Sequence, residues 1–127
     1  DSVDAALQAH PEANCLYTSS DFMMPGIQTA LENHDKWYPR GDAGHVYIAS
    51  SDIFPIAIEM LQAKYIDTAV DQGCYMFAVN AAKSAFDLLE GKTVEKEQLT
   101  LGTMATNETI DAILADTSIA LWGNDYK

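Results

Sequence analysis

Three short runs of hydrogen-bonding side chains stand out in this sequence, at residues 19–21 (SSD), 50–52 (SSD) and 71–72 (DQ). Each run follows a short stretch of β-forming residues and precedes a stretch with helical periodicity. Ligands of open parallel sheets bind beyond the carboxyl ends of the strands, where these runs are expected to lie. Hydroxyl, amide and carboxylate groups can together satisfy the hydroxyls of a polyhydroxylated ligand. The pattern therefore predicts a binding site for a small polar molecule.

The individual candidates also have simpler interpretations. Asp21 and Ser51 stand where helix N-caps are common, and residues at such positions are more often caps than ligand contacts. Gln72 starts no capping pattern, which makes it a stronger candidate. Phe22 and Phe54 closely follow their strands, and either ring could lie against the apolar face of a sugar or pack in the core.

Catalytic and metal sites find little support. His10, His34 and His45 show no metal-ligand spacing, and there is neither a GxSxG elbow nor a GxxxxGK[ST] phosphate loop. Cys15 and Cys74 lie far apart, which favours neither a disulfide framework nor a redox pair. We therefore expect a binding protein that is not an enzyme and that needs no cofactor and no metal.

Charge and length narrow the class of protein further. The 127 residues include 19 acidic and 7 basic side chains, for a formal net charge of −12. Such a chain repels a phosphate backbone, so nucleic acid and anionic membrane surfaces are poor partners. The acids are scattered, as on a solvated surface. No apolar run is long enough to cross a bilayer, and the length suits one compact unit.

Strand and helix patterns alternate along the chain. Strands are predicted at residues 14–19, 45–49 and 66–70, and helices follow the first two strands and occupy residues 74–90. A β-like stretch at 99–106 then leads into a short helix at 107–114. This order predicts an α/β fold in which a parallel sheet has helices on both faces.

Residues 6–32, 46–62 and 66–92 resemble, in order and spacing, successive units of the ribose-type periplasmic sugar-binding proteins, whose fold is shared with the effector domains of LacI-like repressors. The shared features are a helix, His-Pro, a strand and an acidic helix start, then a strand ending in Asp with Pro shortly after it, then an Ala-Val-Asp-Gln segment before a long helix. The resemblance covers residues 3 to about 111.

The resemblance implies roles for three of the candidates. Ser20 stands where the family usually has a ligand-binding Asn, Asp52 matches its ligand-binding Asp, and Gln72 matches its hinge-side Gln. Asp21 matches the acidic residue that starts the next helix. Ser20 is shorter than the family's Asn, and Cys74 stands where a Pro is common, so the resemblance does not identify the ligand.

The resemblance also implies a division of the chain within a two-lobed protein. Residues 1–72 would form the C-terminal lobe without its first βα unit. Residues 73–98 would cross the hinge and place a helix on an N-terminal lobe, and residues 99–127 would return and form the tail. We expect that N-terminal lobe to have been cleaved, to lie outside this sequence, or to belong to a second chain.

The implied function is that of the substrate-binding component of an ABC-type sugar transporter, which closes two lobes over a sugar-like ligand and delivers it to a membrane permease. Such a protein is periplasmic or otherwise extracytoplasmic, and a lipoprotein anchor is compatible with this. Two binding roles remain as alternatives, the effector domain of a LacI-like regulator and a sensor ectodomain. A flavodoxin-like enzyme is the weakest alternative.

Overall fold

The computed structural model describes residues 2–121, in which helices and strands alternate as predicted. The elements are α1 (Ser2–Ala9), β1 (Cys15–Tyr17), a 3-10 turn (Asp21–Met23), α2 (Met24–Asn33), β2 (Tyr47–Ser51), α3 (Pro55–Gln62), β3 (Thr68–Asp71), α4 (Cys74–Leu89), β4 (Thr103–Thr106) and α5 (Ile110–Ala115). The predicted α/β class, with a mostly parallel sheet flanked by helices, is confirmed.

The four strands lie in the order β1-β2-β3-β4. The first three are parallel, with Leu16 opposite Ile48 and Ser50 opposite Ala69. β4 runs antiparallel to β3. Because β1, β2 and β3 point the same way, the loops that follow them meet at one edge of the sheet.

One face of the sheet lines the hydrophobic core. Strand residues alternate between the two faces, so Ile48, Ala69 and Ala105 share the core face, and all three are buried. The helices supply most of the remaining core residues, along stripes spaced three and four residues apart. Their buried residues are Leu7, Met24, Ile27, Ala30, Leu31, Ala57, Leu61 and Ile110.

The opposite face of the sheet is more exposed. Tyr17, Tyr47, Val70 and Met104 are large apolar or aromatic side chains on this face, and all four are exposed. Val70 and Met104 are register partners on neighbouring strands, so they form a continuous apolar strip. These exposed side chains form a second surface on which other parts of a protein could pack.

Helix α4 stands apart from the core. None of its sixteen residues is buried, and its exposed side chains include Tyr75, Phe77, Phe86 and Leu89. The chain enters α4 through Gly73, whose φ of +71° is a conformation that L-residues with side chains rarely adopt.

The segment before α4 (residues 71–73) and the segment that returns to the sheet after α4 (residues 100–102) lie next to each other. Thr100 Oγ1 donates to the carbonyl oxygen of Gln72 over 3.4 Å. A Cβ atom at Gly102 would lie 2.1 Å from the carbonyl oxygen of Asp71, so only glycine allows this close approach. The two connections therefore run side by side.

None of the helices described between residues 2 and 121 has the length and apolar character that a transmembrane span requires.

Candidate ligand-binding site

The loops after β1, β2 and β3 converge at the carboxyl edge of the sheet. The backbone N–H of Asp52 donates to the carbonyl oxygen of Val70 over 2.8 Å, which ties the end of β2 to β3. The 3-10 turn after β1 packs against α3, which follows β2. Polar groups from three separate βα units thus lie at one edge, as the parallel topology requires.

Asp52 and Gln72 are in direct contact. The side-chain amide Nε2 of Gln72 donates a hydrogen bond to Oδ1 of Asp52. Asp52 is only 7% exposed, whereas Gln72 is exposed to solvent. A carboxylate held by an amide that itself faces solvent can still accept hydrogen bonds at its other oxygen.

Ser20 is the N-cap of the 3-10 turn that follows β1. Its hydroxyl oxygen accepts from the backbone N–H of Phe22 over 3.3 Å, and its φ of −155° and ψ of 134° are the usual extended geometry of an N-cap. The residue is half-buried. Ser20 therefore lies at the predicted edge, and its hydroxyl hydrogen is still available to donate.

Asp21 lies in a different position from the one expected. We predicted either a ligand contact or a cap on its own helix, but the side chain is 0% exposed and points inward. Its Oδ1 accepts from the backbone N–H of Phe54 over 3.2 Å, so it serves the next βα loop, while Ser20 performs the capping. The structure thus shows Asp21 holding the next loop, and its ligand contact stays a prediction.

The surroundings of Asp21 raise the pKa of its carboxyl from 3.8 to about 6. Burial is the main cause, because the charged form loses its hydration. The backbone N–H groups of Phe54 and Ile53 oppose this shift, and the negative charge of Asp52 adds to it. Its second oxygen, Oδ2, is buried and makes no hydrogen bond with the described residues.

Phe22 and Phe54 form an aromatic pair across two loops. Their ring centroids are 6.1 Å apart at an interplanar angle of 67°, an edge-to-face arrangement. Phe22 is 72% exposed and Phe54 is half-buried. The pair presents an apolar surface beside the polar groups, as a ligand with both hydroxyl and C–H faces requires.

Asp71 and Ser50 belong to the polar runs identified in the sequence but were not among the residues predicted to contact the ligand. Asp71 is 2% exposed, and its Oδ2 accepts from the backbone N–H of Gly73 over 3.1 Å. Ser50 is buried on the core face of β2. The sequence placed both residues at the ends of predicted strands, but it could not show that Asp71 is buried or that Ser50 faces the core.

Cys74 begins α4 next to these carboxylates. Burial, and after it the charges of Asp71 and Asp52, raise the pKa of its thiol above the ordinary value. A thiol with a raised pKa is protonated at neutral pH and is a poor nucleophile. Within residues 2–121, no three His, Cys, Asp or Glu side chains are arranged to hold a metal ion.

Comparison with known proteins gives a consistent result for the fold. No protein-family model and no curated protein matches the sequence. Among solved structures, a glucose-galactose binding protein from Geobacillus stearothermophilus matches with a TM-score of 0.72 at 23% identity, over 84% of this chain and 36% of that one. An ABC transporter periplasmic solute binding protein from Actinobacillus succinogenes, with bound D-allose, matches with a TM-score of 0.73 at 22% identity, over 87% and 37%.

A third structure, from Mycobacterium smegmatis in complex with β-D-fucofuranose, has a TM-score of 0.75 at 18% identity and covers 92% of this chain and 37% of that one. The chain thus spans little more than a third of the length of each of these proteins. The resemblance predicted from the sequence is confirmed at the level of the fold. The chain has the fold of one portion of these three proteins.

Proposed function

We propose that this chain supplies one side of the sugar-binding site of an ABC transporter's solute-binding protein, a role in which no covalent bond is made or broken. The observation that carries the proposal is the hydrogen bond between Gln72 and Asp52, which joins two of three polar strand ends at one edge. The third strand end contributes Ser20. The fold shared with structures that contain D-allose and β-D-fucofuranose supports the same class of ligand.

Each residue has a distinct part in this proposal. Asp52 accepts hydrogen bonds from sugar hydroxyls, and a charged acceptor makes such bonds stronger than a neutral one does. Gln72 orients Asp52 and offers its own carbonyl oxygen, and Ser20 donates from its hydroxyl. Phe22 and Phe54 cover the C–H face of the sugar ring.

We further propose that the site has a second side, formed by residues outside those described here. The polar edge is an open surface, and α4 carries exposed aromatic and aliphatic side chains with no buried residue of its own. A helix of this kind needs a partner surface to be stable in water. In the proposed arrangement, residues 1–72 and 99–127 belong to one lobe, and residues 73–98 cross a hinge to pack on the other.

Closing two lobes over a sugar gives the ligand contacts that exist only in the closed state, which shifts the population toward that state. A permease in the membrane would then recognise the closed form. This role requires an extracytoplasmic location, periplasmic or lipoprotein-anchored.

The test is sugar binding by the full-length protein that contains this sequence. Isothermal titration calorimetry and thermal shift against D-allose, D-glucose, D-galactose, D-ribose and a furanose should identify at least one ligand that stabilises the protein. A ligand at about 100 times its Kd should add about 2.7 kcal/mol to the free energy of unfolding.

The matched variants are Asp52→Asn at the site and Asp42→Asn in an exposed loop. We expect Asp52→Asn to weaken binding by about 10- to 100-fold, because a charged hydrogen bond contributes about 1.5–3 kcal/mol. Asp42→Asn should leave the affinity unchanged. Absence of any sugar binding, or equal affinity in Asp52→Asn and the unmodified protein, would contradict the proposal.

A further inference from the structure

The backbone that carries Asp52 has an unusual conformation. Asp52 has a φ of +95° and Ile53 a φ of +53°, two consecutive left-handed residues neither of which is glycine. L-residues with side chains rarely adopt this region, and a β-branched residue such as Ile53 does so least readily. Such a turn persists only where its surroundings hold it in place.

Three contacts hold this turn. The N–H of Asp52 donates to the carbonyl oxygen of Val70. The side chain of Ile53 is 0% exposed and packs in the core. The N–H of Phe54 donates to Oδ1 of Asp21, which belongs to the preceding βα unit.

The contact from Asp21 is the one that links separate parts of the site. Asp21 follows β1, Asp52 follows β2, and Asp52 in turn accepts from Gln72, which follows β3. Asp21 is fully buried, and it holds the backbone of this edge through the N–H of Phe54.

We propose that Asp21 is a positioning residue for the sugar site, holding the left-handed turn at Asp52 and Ile53 so that the Asp52 carboxylate meets both Gln72 and the ligand. This inference rests on the proposed function for its ligand, but not for its geometry. Loss of the Asp21 acceptor frees the turn to relax toward ordinary φ values, which turns the Asp52 side chain away from Gln72.

The first test compares two variants of the full-length protein with the unmodified protein by sugar titration calorimetry. Asp21→Ala removes the acceptor, whereas Asp21→Asn keeps an oxygen that the N–H of Phe54 can reach. We expect Asp21→Ala to weaken sugar binding by at least tenfold and Asp21→Asn to stay within about threefold of the unmodified protein.

The matched control is Asp67→Ala. Asp67 also accepts from a backbone N–H, that of Ile48 over 2.9 Å, and its Oδ2 lies 3.0 Å from Nε2 of His45, but it lies before β3 at the opposite end of the strands. Its removal should lower the melting temperature and leave the sugar affinity of the folded protein unchanged. Equal loss of affinity in Asp67→Ala and Asp21→Ala would show that general destabilisation is responsible, and would overturn the proposal.

A second test needs no ligand. The amide proton of Phe54 should change its NMR chemical shift with a midpoint near pH 6, following the carboxyl of Asp21. Asp52 is the charged side chain that acts on this carboxyl, so its resonances should be followed in parallel. The side-chain amide of Gln72 should shift in Asp21→Ala and not in Asp67→Ala.

The outcomes separate the two proposals. If no sugar binds but the Phe54 and Gln72 signals behave as expected, the proposed function fails and the positioning role of Asp21 stands. If sugar binds and Asp21→Ala binds it as well as the unmodified protein does, the positioning role is excluded and the proposed function stands. A Gln72 side-chain amide that does not shift in Asp21→Ala also excludes the positioning role.

Discussion

Gln72 and Asp52, separated by twenty positions in the sequence, are joined by a hydrogen bond from the amide of one to the carboxylate of the other. The bond spans the ends of two neighbouring parallel strands. It fixes the orientation of a nearly buried acid before any ligand arrives, which reduces the entropy that ligand binding must overcome.

The variant Gln72→Glu tests the role of this pair by placing a second carboxylate beside Asp52. Two carboxylates at hydrogen-bond distance repel each other unless they share a proton. We expect sugar affinity to fall by more than about tenfold at pH 7.5 and to recover in part at pH 5. Titration calorimetry at the two pH values measures this.

The chain offers a matched control for that variant. Gln62 donates to Oδ1 of Asp111 over 2.7 Å in a second, exposed Gln–Asp pair between α3 and α5. Gln62→Glu should leave sugar affinity unchanged at both pH values. An equal loss in both variants would assign the effect to net charge instead of to the site.

For the aromatic pair of Phe22 and Phe54, we expect one substitution to weaken sugar binding while leaving the free energy of unfolding nearly unchanged. Phe22 is largely exposed, so Phe22→Ala should change the free energy of unfolding by less than about 1 kcal/mol. It should nevertheless weaken sugar binding several-fold, because the exposed ring is the one that can meet the sugar. Tyr47→Ala, at the opposite end of β2, is the control and should leave the affinity unchanged.

Substitution of a buried leucine and of an exposed leucine should have very different effects on the free energy of unfolding. Leu31 is completely buried and Leu89 on α4 is 84% exposed. In urea denaturation, Leu31→Ala should cost about 2–5 kcal/mol through lost burial and a residual cavity. Leu89→Ala should cost less than about 0.5 kcal/mol in the 127-residue chain. If Leu89 packs on another lobe in the full-length protein, its cost there will be larger.

The raised pKa of Asp21 predicts how stability depends on pH. An exposed carboxyl in the unfolded chain titrates near 3.8 and the folded one near 6, so between these values the folded state holds more protons. The free energy of unfolding contributed by this group is therefore greatest below about pH 3.8 and falls as pH rises towards 6. The slope is at most about 1.4 kcal/mol per pH unit.

Urea denaturation of the unmodified protein and of Asp21→Asn at several pH values isolates this contribution. The difference in stability between the two should change between pH 4 and 6 and stay constant from pH 7 to 8. A difference that stays constant over the whole range would mean that Asp21 does not titrate there.

The sequence allowed the order and type of the elements to be predicted, because periodicity and turn residues are local properties. It did not fix where strands end. β2 was expected at residues 45–49 and lies at Tyr47–Ser51, so Ser50 is inside the strand and faces the core. A shift of two residues preserves the alternation, and alternation was the signal used.

The direction of the Asp21 side chain also could not be predicted from its neighbours in the sequence. An Asp directly before a helix caps that helix in most proteins, and nothing nearby distinguishes it from an Asp that reaches a different loop. The antiparallel direction of β4 has a similar origin, since it depends on where the chain rejoins the sheet after α4.

The paired connections at residues 71–73 and 100–102 have a mechanical consequence. Thr100 and Gly102 hold the two connecting segments side by side, so we expect both segments to move together whenever α4 moves relative to the sheet. Gln72 belongs to one of these segments and would move with them. Under the proposed function, a sugar bound at Gln72 would therefore contact the very segment through which α4 joins the sheet.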